Sequence, residues 1–402
     1  MRSSTNPIGK RLRRHHERGI ALLVVLSTLA LVSAAVADFQ FSSRVDYELA
    51  VNSRDSLQAE YNALSALRLK TMLLKNGQQV TQVLNTLVPQ EMRSMMPPVG
   101  QLLEMIPVDC GLMSAITKVA SDVELKEGET APQVFDGECS ASSHAEEGKI
   151  SVLALAQNAR QQLGADPTQP AGAAGVLTKL LSAPMFEKYF DEDDANGVHA
   201  ESPAELVGAL ADWVDNDSNQ ALNQIGDEDR LYASLRHSYK AKNAPFDSTA
   251  ELQMVFGVND ALYDVLKQVV TVYSDRGGVV DPGQASTEML VTLMFSCWPP
   301  PAPSVDAIQL MVSRLNEAKQ LGGSGFALIS TDLLKVIAQE AGMDSVIGPA
   351  CLDMVFGKSA SGNQSLPSWY RITAEGQVGN ATRRVQAVFH THFSTYYYFR
   401  ME

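Results

Sequence analysis

The hydrophobic pattern of the chain is most pronounced near its N-terminus, where an uncharged apolar run follows a basic segment. Residues 20–37 are 18 positions without a charge, just long enough for a helix that crosses a bilayer. No proline or glycine occurs between Ile20 and Asn76, so the pattern predicts one helix of 57 residues. Such a helix is about 85 Å long. Its first third would lie in lipid and the rest outside it.

Beyond the apolar run the same helix is expected to become amphipathic. Leu57, Tyr61, Leu64 and Leu67 recur at spacings of four and three, which places them on one helix face. We expect this face to pack on a sheet. The segment Lys75-Asn76-Gly77 is a typical helix end, with a basic residue in the last turn and glycine just beyond.

The middle of the chain is expected to form a loop and then a strand before it becomes helical. The acidic, serine-rich stretch 136–147 reads as a loop, and residues 149–155 have the β-branched character of a strand. Residues 156–300 look helical. Capping boxes at Ser202–Glu205 and Ser248–Glu251 each predict a helix start, and Asn259 can cap the next helix.

The C-terminal region has the period of β-strands. Apolar and polar residues alternate over 370–378 and again over 384–393, with the turn residues Gly379-Asn380 between them, and 396–401 reads as a last strand. A proline-rich linker at 298–304 and a small helical region precede these strands. The order of elements predicts an α+β fold in which helices are inserted into a sheet.

Charge and cysteine content restrict the compartment. The formal net charge of −14 argues against nucleic acid as a partner and is compatible with divalent cations. Positive charges before an apolar run stay on the cytoplasmic side. The part of the chain that follows the apolar run should therefore be exported into an oxidising compartment. The basic residues of the segment 1–19, opposed by Glu17 alone, are Arg2, Lys10, Arg11, Arg13, Arg14 and Arg18.

Four cysteines then allow three disulfide pairings. We prefer Cys110–Cys139 and Cys297–Cys351, because each closes a loop within one region. An alternative for the N-terminus is a secretory signal peptide, with small residues at 33–37 offering a cleavage site. The position of Gly19, before rather than after the apolar run, counts against that alternative.

Several stretches resemble a known family. The basic leader ending in Gly19, followed by Ile-Ala-Leu-Leu-Val-Val-Leu-Ser, is similar to the N-terminus of type IV prepilins. The stretches Asp212–Asp217, Asn243–Leu252 and Trp369–Gly376 resemble the K-type minor pseudopilins of the type II secretion system. The leader is shared by all pilins, whereas Asp-Trp-x-Asp followed by Pro-Phe-x-Ser-x-x-Glu-Leu is much more specific.

The resemblance implies a fold and a role. It implies cleavage after Gly19 by prepilin peptidase, N-methylation of Ile20, and a pilin-like helix packed on an antiparallel sheet with a large inserted α-helical domain. That domain resembles SAM-like and helix–hairpin–helix folds. It also implies a non-enzymatic protein of the bacterial inner membrane, single-pass, with its head in the periplasm. There it would sit at the tip of the major pseudopilin filament, with minor pseudopilins I and J.

Position 24 departs from the general pilin pattern. Most pilins have Glu at the fifth mature position, where it neutralises the N-terminal amine of a neighbouring subunit, and this chain has Val24. A subunit at the front of a filament meets no such amine, so Val24 fits the tip. An apolar residue in an apolar helix is equally well explained by the lipid.

On this basis we divide the chain into six regions. They are the prepilin leader 1–19, the transmembrane and stalk helix 20–77, the first part of the head 78–155, the inserted helical domain 156–300, the linker and second helical region 301–350, and the C-terminal strands 351–402.

One acidic cluster could bind Ca²⁺, which takes six to eight oxygen ligands. Asp215-x-Asp217-x-Asn219 has the alternate spacing of an EF-hand opening but lacks the later Gly and Glu. The alternative is a solvated acidic surface with aspartates as helix caps. The candidate ligands are Asp212, Asp215, Asp217, Asn219, Asp227, Glu228 and Asp229.

Two other functions remain open at this stage. A minor pilin of a surface type IV pilus would share the leader and the helix. A membrane-anchored periplasmic enzyme would use the acidic cluster as a catalytic metal site, although the sequence contains no hydrolase, phosphate-loop or dinucleotide motif.

Overall fold

The structure is a computed structural model. It describes residues 8–77, 79, 82, 103–104, 106–114, 136–156, 172–221, 226–233, 235–274, 279–298, 302–323, 329–343, 347–357 and 367–402. The side chains of residues 8–19, 320–323 and 347 lie outside this description, as does the core of the proline-rich linker at 299–301.

One long helix, α1, runs from Ile8 to Lys75. It ends where the Lys75-Asn76-Gly77 signal predicts and is uninterrupted through the apolar run. It also includes the basic segment, so it starts earlier than the 57-residue helix expected from the sequence. Residues 20–50 are exposed throughout, whereas from Asp55 onward one side of α1 is buried.

The buried face of α1 is not the one that the leucine spacing predicts. Leu57 and Tyr61 are 53% and 59% exposed, and only Leu67 of that row is fully buried. The face against the sheet consists mainly of small side chains, because the helix axis lies very close to the strands. Its buried members are Asp55, Ala59, Asn62, Ala63, Ala66, Leu67, Lys70 and Leu74.

The sheet that α1 covers is antiparallel, with the strand order β1-β2-β5-β6-β7. Tyr370, Ile372 and Phe389 project from it into a core shared with α1. The strands are β1 (Val108–Asp109), β2 (Glu138–Ala145), β5 (Trp369–Val378), β6 (Ala381–His390) and β7 (Thr395–Met401). The three strands predicted at the C-terminus are therefore confirmed.

The loop predicted over 136–147 is wrong, because β2 occupies most of it. All eight of its residues pair with β5, from Glu138 opposite Gln377 to Ala145 opposite Tyr370. Its buried positions are Cys139, Ala141, Ser143 and Ala145. Serine and alanine have low strand propensity, but their small size suits a strand that lies under a closely packed helix.

The second part of the head is helical and surrounds one core. Helices before and after the proline-rich linker share this core, and α9 runs across the boundary expected at residue 350. The helices are α2 (Gly172–Leu181), α3 (Pro203–Val214), α4 (Asp229–Ala233), α5 (Asp260–Val269), α6 (Thr287–Ser296), α7 (Val305–Gly323), α8 (Thr331–Glu340) and α9 (Ile347–Phe356).

Two of the three helix starts predicted from capping residues in this part are confirmed. Ser202 caps α3 by accepting a bond from the Glu205 amide, and Asn259 caps α5 through Leu262. The expected α-helix after Ser248 is a 3₁₀-helix, Thr249–Met254, without a side-chain cap. The strand expected at 149–155 is reduced to β3 (Ile150–Ser151), which pairs in parallel with β4 (Val270–Thr271) and continues as a 3₁₀-helix.

A buried ionic network joins the helical part to the sheet. Glu146 forms an ion pair with Arg371 of β5 at 2.7 Å and accepts a bond from the hydroxyl of Thr271. Burial opposes ionisation of Glu146, but the positive charges of Lys149 and Arg371 outweigh it, so its pKa is lowered. The adjacent Glu147 accepts bonds from the amides of Ser368 and Trp369. Two consecutive glutamates thus fix the helical part to β5.

Both disulfides have the pairing preferred from the sequence. Cys110–Cys139 joins the segment after β1 to β2, with 5.1 Å between the Cα atoms. Cys297–Cys351 joins the end of α6 to α9, with 5.5 Å between the Cα atoms. The second bond ties together the helices on either side of the linker.

Candidate functional site

The N-terminal half of α1 presents an apolar surface that nothing else in the described chain covers. Leu22, Leu23 and Val24 are 63%, 70% and 53% exposed. Among the described residues, α1 is the one helix long and apolar enough to cross a membrane. Gly19 and Ile20 lie within this uninterrupted helix. Within the described part of the chain α1 is therefore the single candidate anchor, and its C-terminal half packs on the sheet of the head.

The acidic cluster lies at the C-terminal end of α3. Asp212 is buried in the last turn of this helix, and Asp215 is its C-cap, with its amide bonded to the Ala211 carbonyl. The chain then turns back, with Asn219 opposite Asp227 in an isolated antiparallel bridge. This turn brings Glu228, just before α4, next to the end of α3.

Three carboxylates converge at this point. Oxygens of Asp212, Asp215 and Glu228 lie within 4.8 Å of one another. Glu228 is 1% exposed, and neither of its oxygens accepts a hydrogen bond of normal geometry, although the Asn243 side chain lies beside them. Burial raises the pKa of Glu228 to about 8, and the negative charges of Asp212, Asp215 and Asp217 act in the same direction.

The remaining predicted ligands surround this centre with bonds of their own. The Asp217 carboxylate accepts from the amide and side chain of Asn219 at 2.8 and 3.2 Å. The Asp227 carboxylate accepts from the Asp229 amide at 3.1 Å. Asp229 pairs with Lys240 at 2.7 Å. The structure brings three of the seven candidates together, and the other four lie at the rim.

Asn243 belongs to the site although it was not among the predicted ligands. Its backbone is in the left-handed region, with φ of 49°. Its side-chain amide donates to the Asp217 carbonyl at 2.7 Å, while its Oδ1 is buried without a hydrogen-bond partner. Asparagine is one of the few non-glycine residues that tolerate this backbone conformation. Its sequence distance from the acidic cluster hides it from a search for spacing.

An aromatic cluster packs next to the acidic site. Trp213 lies between the two acidic helix-end residues in sequence, and its ring packs on Tyr232 at 5.6 Å and on Phe246 at 6.3 Å between centroids. Tyr232 is fully buried, and burial raises its pKa strongly. Trp213 adjoins Asp212 in α3 and Tyr232 lies in α4, which starts directly after Glu228, so this packing joins the two segments that carry the carboxylates.

The residues fit a hard divalent cation such as Ca²⁺. Three carboxylates and one amide oxygen supply the oxygen ligands that calcium prefers. A buried carboxylate such as that of Glu228, which neighbouring carboxylates repel and which accepts no hydrogen bond, is costly unless it is protonated or neutralised by a cation. The two unpaired oxygens of Glu228 are the observation that distinguishes this cluster from a solvated acidic surface.

Residues 149–275 match the family described as type II secretion system protein K. The chain is 25% identical over 300 residues to type II secretion system protein K of Klebsiella pneumoniae, covering 75% of this chain and 76% of that protein. It is also similar to a crystal structure of the GspK-GspI-GspJ complex from enterotoxigenic Escherichia coli, with a TM-score of 0.44 and 13% identity, covering 72% of this chain and 91% of that chain.

A long apolar helix packed on an antiparallel sheet, with a helical insertion, defines the class of pilin-like proteins. Within that class, the chain is similar to type II secretion system protein K, through the family match over residues 149–275 and the 25% identity to the Klebsiella pneumoniae relative, and both similarities support a K-type minor pseudopilin. Such pseudopilins are structural components of a secretion apparatus.

Proposed function

We propose that this protein sits at the tip of the type II secretion pseudopilus and initiates and caps its assembly. It does so with the minor pseudopilins I and J, above the major pseudopilin filament, so that folded periplasmic proteins are exported across the outer membrane. The exposed apolar half of α1 carries the proposal. A helix with that surface is stable only among lipids or other apolar helices.

Processing at the leader follows from the same role. Prepilin peptidase removes residues 1–19 after Gly19, and Ile20 becomes the methylated N-terminus. Val24 then stands at the fifth mature position without a carboxylate. An unpaired carboxylate in lipid is expensive, so its absence suits a subunit that has no neighbour ahead of it.

The size of the head supports a capping position. Helices α2 to α9 share one core, and the Glu146–Arg371 pair fixes them to the sheet. A head widened rigidly in this way leaves no room for a further subunit above it. The basic leader and the two disulfides support a periplasmic location for the head.

The test is export in a strain from which this gene is deleted. Wild-type protein should restore secretion, and loss of cleavage in a Gly19→Asp variant should prevent it. Asn6→Asp, a matched change within the leader, should restore secretion as well as wild type. Unchanged secretion after deletion, or full rescue by uncleaved protein, would refute the proposal. Lost surface piliation with intact secretion would indicate a type IV pilus subunit instead.

We further propose that Asp212, Asp215 and Glu228 bind Ca²⁺, with Asn243 as an additional oxygen ligand. The convergence of their oxygens and the unpaired state of Glu228 support this assignment. The bound ion would hold α3, the turn after it and α4 together. Calorimetric titration of the full chain with calcium chloride should show binding that magnesium chloride does not reproduce. An absence of calcium heat and of any thermal shift would refute the assignment.

A further inference from the structure

One lysine closes the loop that carries Asn243. The ammonium group of Lys242 donates to Oδ2 of Asp247 at 2.9 Å and to the two carboxylate oxygens of Glu251 at 2.9 and 3.0 Å. The amide of Asp247 also donates to Glu251 at 3.0 Å. These bonds join the two ends of the segment 242–251, which we call the clamp loop.

The ion pair of Lys242 with Glu251 is partly shielded from water. Their side chains are 24% and 20% exposed, whereas Lys240, which pairs with Asp229 at the rim of the acidic centre, is 80% exposed. Burial opposes the charge of Lys242, but its bonds to the two carboxylates and their negative charges outweigh burial, so its pKa is raised. Because ion pairs gain strength where water is excluded, we expect the clamp loop to stay closed at neutral pH.

The middle of the clamp loop lies against α3. The amide of Ala244 donates to the carbonyl of Trp213 at 3.4 Å. The ring of Phe246, which is buried, stacks on the ring of Trp213 with 6.3 Å between centroids. Trp213 directly follows Asp212, one of the three converging carboxylates. The closed clamp loop therefore places Asn243 at the C-terminal end of α3.

Asn243 bridges two parts of the acidic centre from this position. Its side-chain amide donates to the carbonyl of Asp217 at 2.7 Å. It also lies beside the carboxylate of Glu228, whose pKa burial raises and the Asn243 side chain acts to lower. The backbone of Asn243 is left-handed, with φ of 49°, a conformation that non-glycine residues keep where surrounding contacts fix it. Lys242 is the preceding residue, so its two ion pairs restrain the backbone from which the Asn243 side chain extends.

The positive charge of Lys242 makes its role distinguishable by sign. An ammonium group repels a cation, so its charge alone would weaken calcium binding, and removing the charge would strengthen it. A lysine that holds Asn243 in place has the opposite effect, because the site loses an oxygen ligand when the loop opens. Residues that orient ligands without touching the ion commonly change metal affinity by about 10–100-fold.

We infer that Lys242 is a positioning residue for calcium: its two ion pairs close the clamp loop and hold the side chain of Asn243 against Glu228. This inference rests on the proposed calcium site. It adds a residue that does not touch the ion and that lies outside the acidic cluster.

Calorimetric titration of the full-length protein with calcium chloride tests this role. Lys242→Met keeps an apolar side chain and removes the ammonium group, and it should weaken calcium binding about tenfold. Lys242→Arg can donate to both carboxylates and should stay within about threefold of wild type. Lys240→Met is the matched control, since it removes only the exposed ion pair with Asp229, and it should also stay within about threefold. Unchanged or tighter calcium binding by Lys242→Met would overturn the inference.

A double-mutant cycle tests whether Lys242 acts through Asn243. Asn243→Gly tolerates the left-handed backbone but lacks the side chain, so it should weaken calcium binding in the same direction as Lys242→Met. Adding Lys242→Met to Asn243→Gly should then cause a further loss of less than about twofold, because effects of residues that act through one another do not add. Two full, additive losses would contradict the inference.

Glu251→Gln takes the place of Lys242→Met if circular dichroism shows that the latter fails to fold. It removes the charge that Lys242 binds and keeps an acceptor for the Asp247 amide. It should also weaken calcium binding, and an unchanged affinity would overturn the inference. If wild type binds no calcium, the proposed calcium site is refuted together with this role. If wild type binds calcium and Lys242→Met binds it equally well, the role of Lys242 alone is refuted.

Discussion

Gly376 of β5 lies against the backbone of Ala59 on α1, so closely that a Cβ at position 376 would overlap with the Ala59 carbonyl oxygen. The same Cβ would come within 2.7 Å of the Ala63 backbone nitrogen. Because both neighbours are backbone atoms, neither can rotate aside as a side chain does. The stalk helix and the sheet are thus held at a distance that glycine and alanine set together.

Gly376→Ala should therefore loosen the stalk from the sheet. We expect a loss of about 1–3 kcal/mol in the free energy of unfolding, because an added methyl group forces the helix outward. The measurement is urea denaturation followed by circular dichroism. Gln377→Ala, the exposed neighbour on the same strand, serves as control and should change stability by less than about 0.5 kcal/mol. Equal stability of the two variants would contradict the close packing.

Removal of Arg371 should destabilise the junction between the helical part and the sheet. Arg371→Ala leaves Glu146, whose side chain is 2% exposed, as a buried carboxylate without its ion-pair partner. Removing one partner of a buried pair costs about 3–5 kcal/mol. Arg384→Ala removes the exposed pair with Glu375 and should cost no more than about 1 kcal/mol. Thermal melts of both variants give the comparison, and similar melting temperatures would refute the special role of the buried pair.

Glu104 should make the stability of the head depend on pH. Burial raises its pKa to about 8 from 4.5, while the Ala145 amide and Lys70 oppose the shift. The folded state thus binds a proton that the unfolded state loses first, so the contribution to stability is complete below about pH 4.5 and is lost as pH rises to about 8.

The variant that isolates this effect is Glu104→Gln. Glutamine retains an oxygen that accepts the 2.8 Å bond from the Ala145 amide but cannot ionise. Urea midpoints measured from pH 5 to pH 8 should fall less in the variant than in wild type, by an amount that develops across that window. Parallel pH profiles for the two proteins would show that Glu104 does not titrate in this range.

Glu228→Gln should separate calcium binding from folding. Without metal, the variant should be at least as stable as wild type, because its amide cannot ionise beside the three aspartates that, with burial, raise the pKa of Glu228. With millimolar calcium, wild type should gain thermal stability and the variant should gain none. Asp229→Asn is the matched control, since its carboxylate pairs with Lys240 outside the convergent group. A calcium-induced shift in Glu228→Gln equal to that of wild type would remove Glu228 from the ligand set.

Local signals in the sequence predicted much of the secondary structure. The end of α1 at Lys75, the caps at Ser202 and Asn259, and the turn at Gly379-Asn380 depend on neighbouring residues alone. The strand β2 escaped prediction because its Ser and Ala residues have little strand propensity of their own. Its pairing with β5 and the helix above it outweigh that preference.

The candidate site could be predicted only in part. The sequence showed that acidic residues are concentrated around the end of α3. Which of them converge depends on a turn that brings Glu228 back to Asp212. Asn243 lies 26 residues beyond Asp217, whose carbonyl it bonds, and no local spacing relates the two. The packing of Trp213 on Tyr232 and Phe246 joins the segments that carry these distant residues.

The sequence by itself determined the apolar anchor, the end of α1, the starts of α3 and α5 and the alternation of the last three strands, because these depend on the period and order of neighbouring residues. Only the tertiary structure decided which face of α1 is buried and which carboxylates meet. The spacing of the leucines predicted that their face of α1 packs on the sheet, but the face that carries Ala59, Ala63 and Ala66 packs there instead. Gly376 and the small residues of β2 allow a closer approach there, and closer packing buries more of both elements than longer side chains would permit.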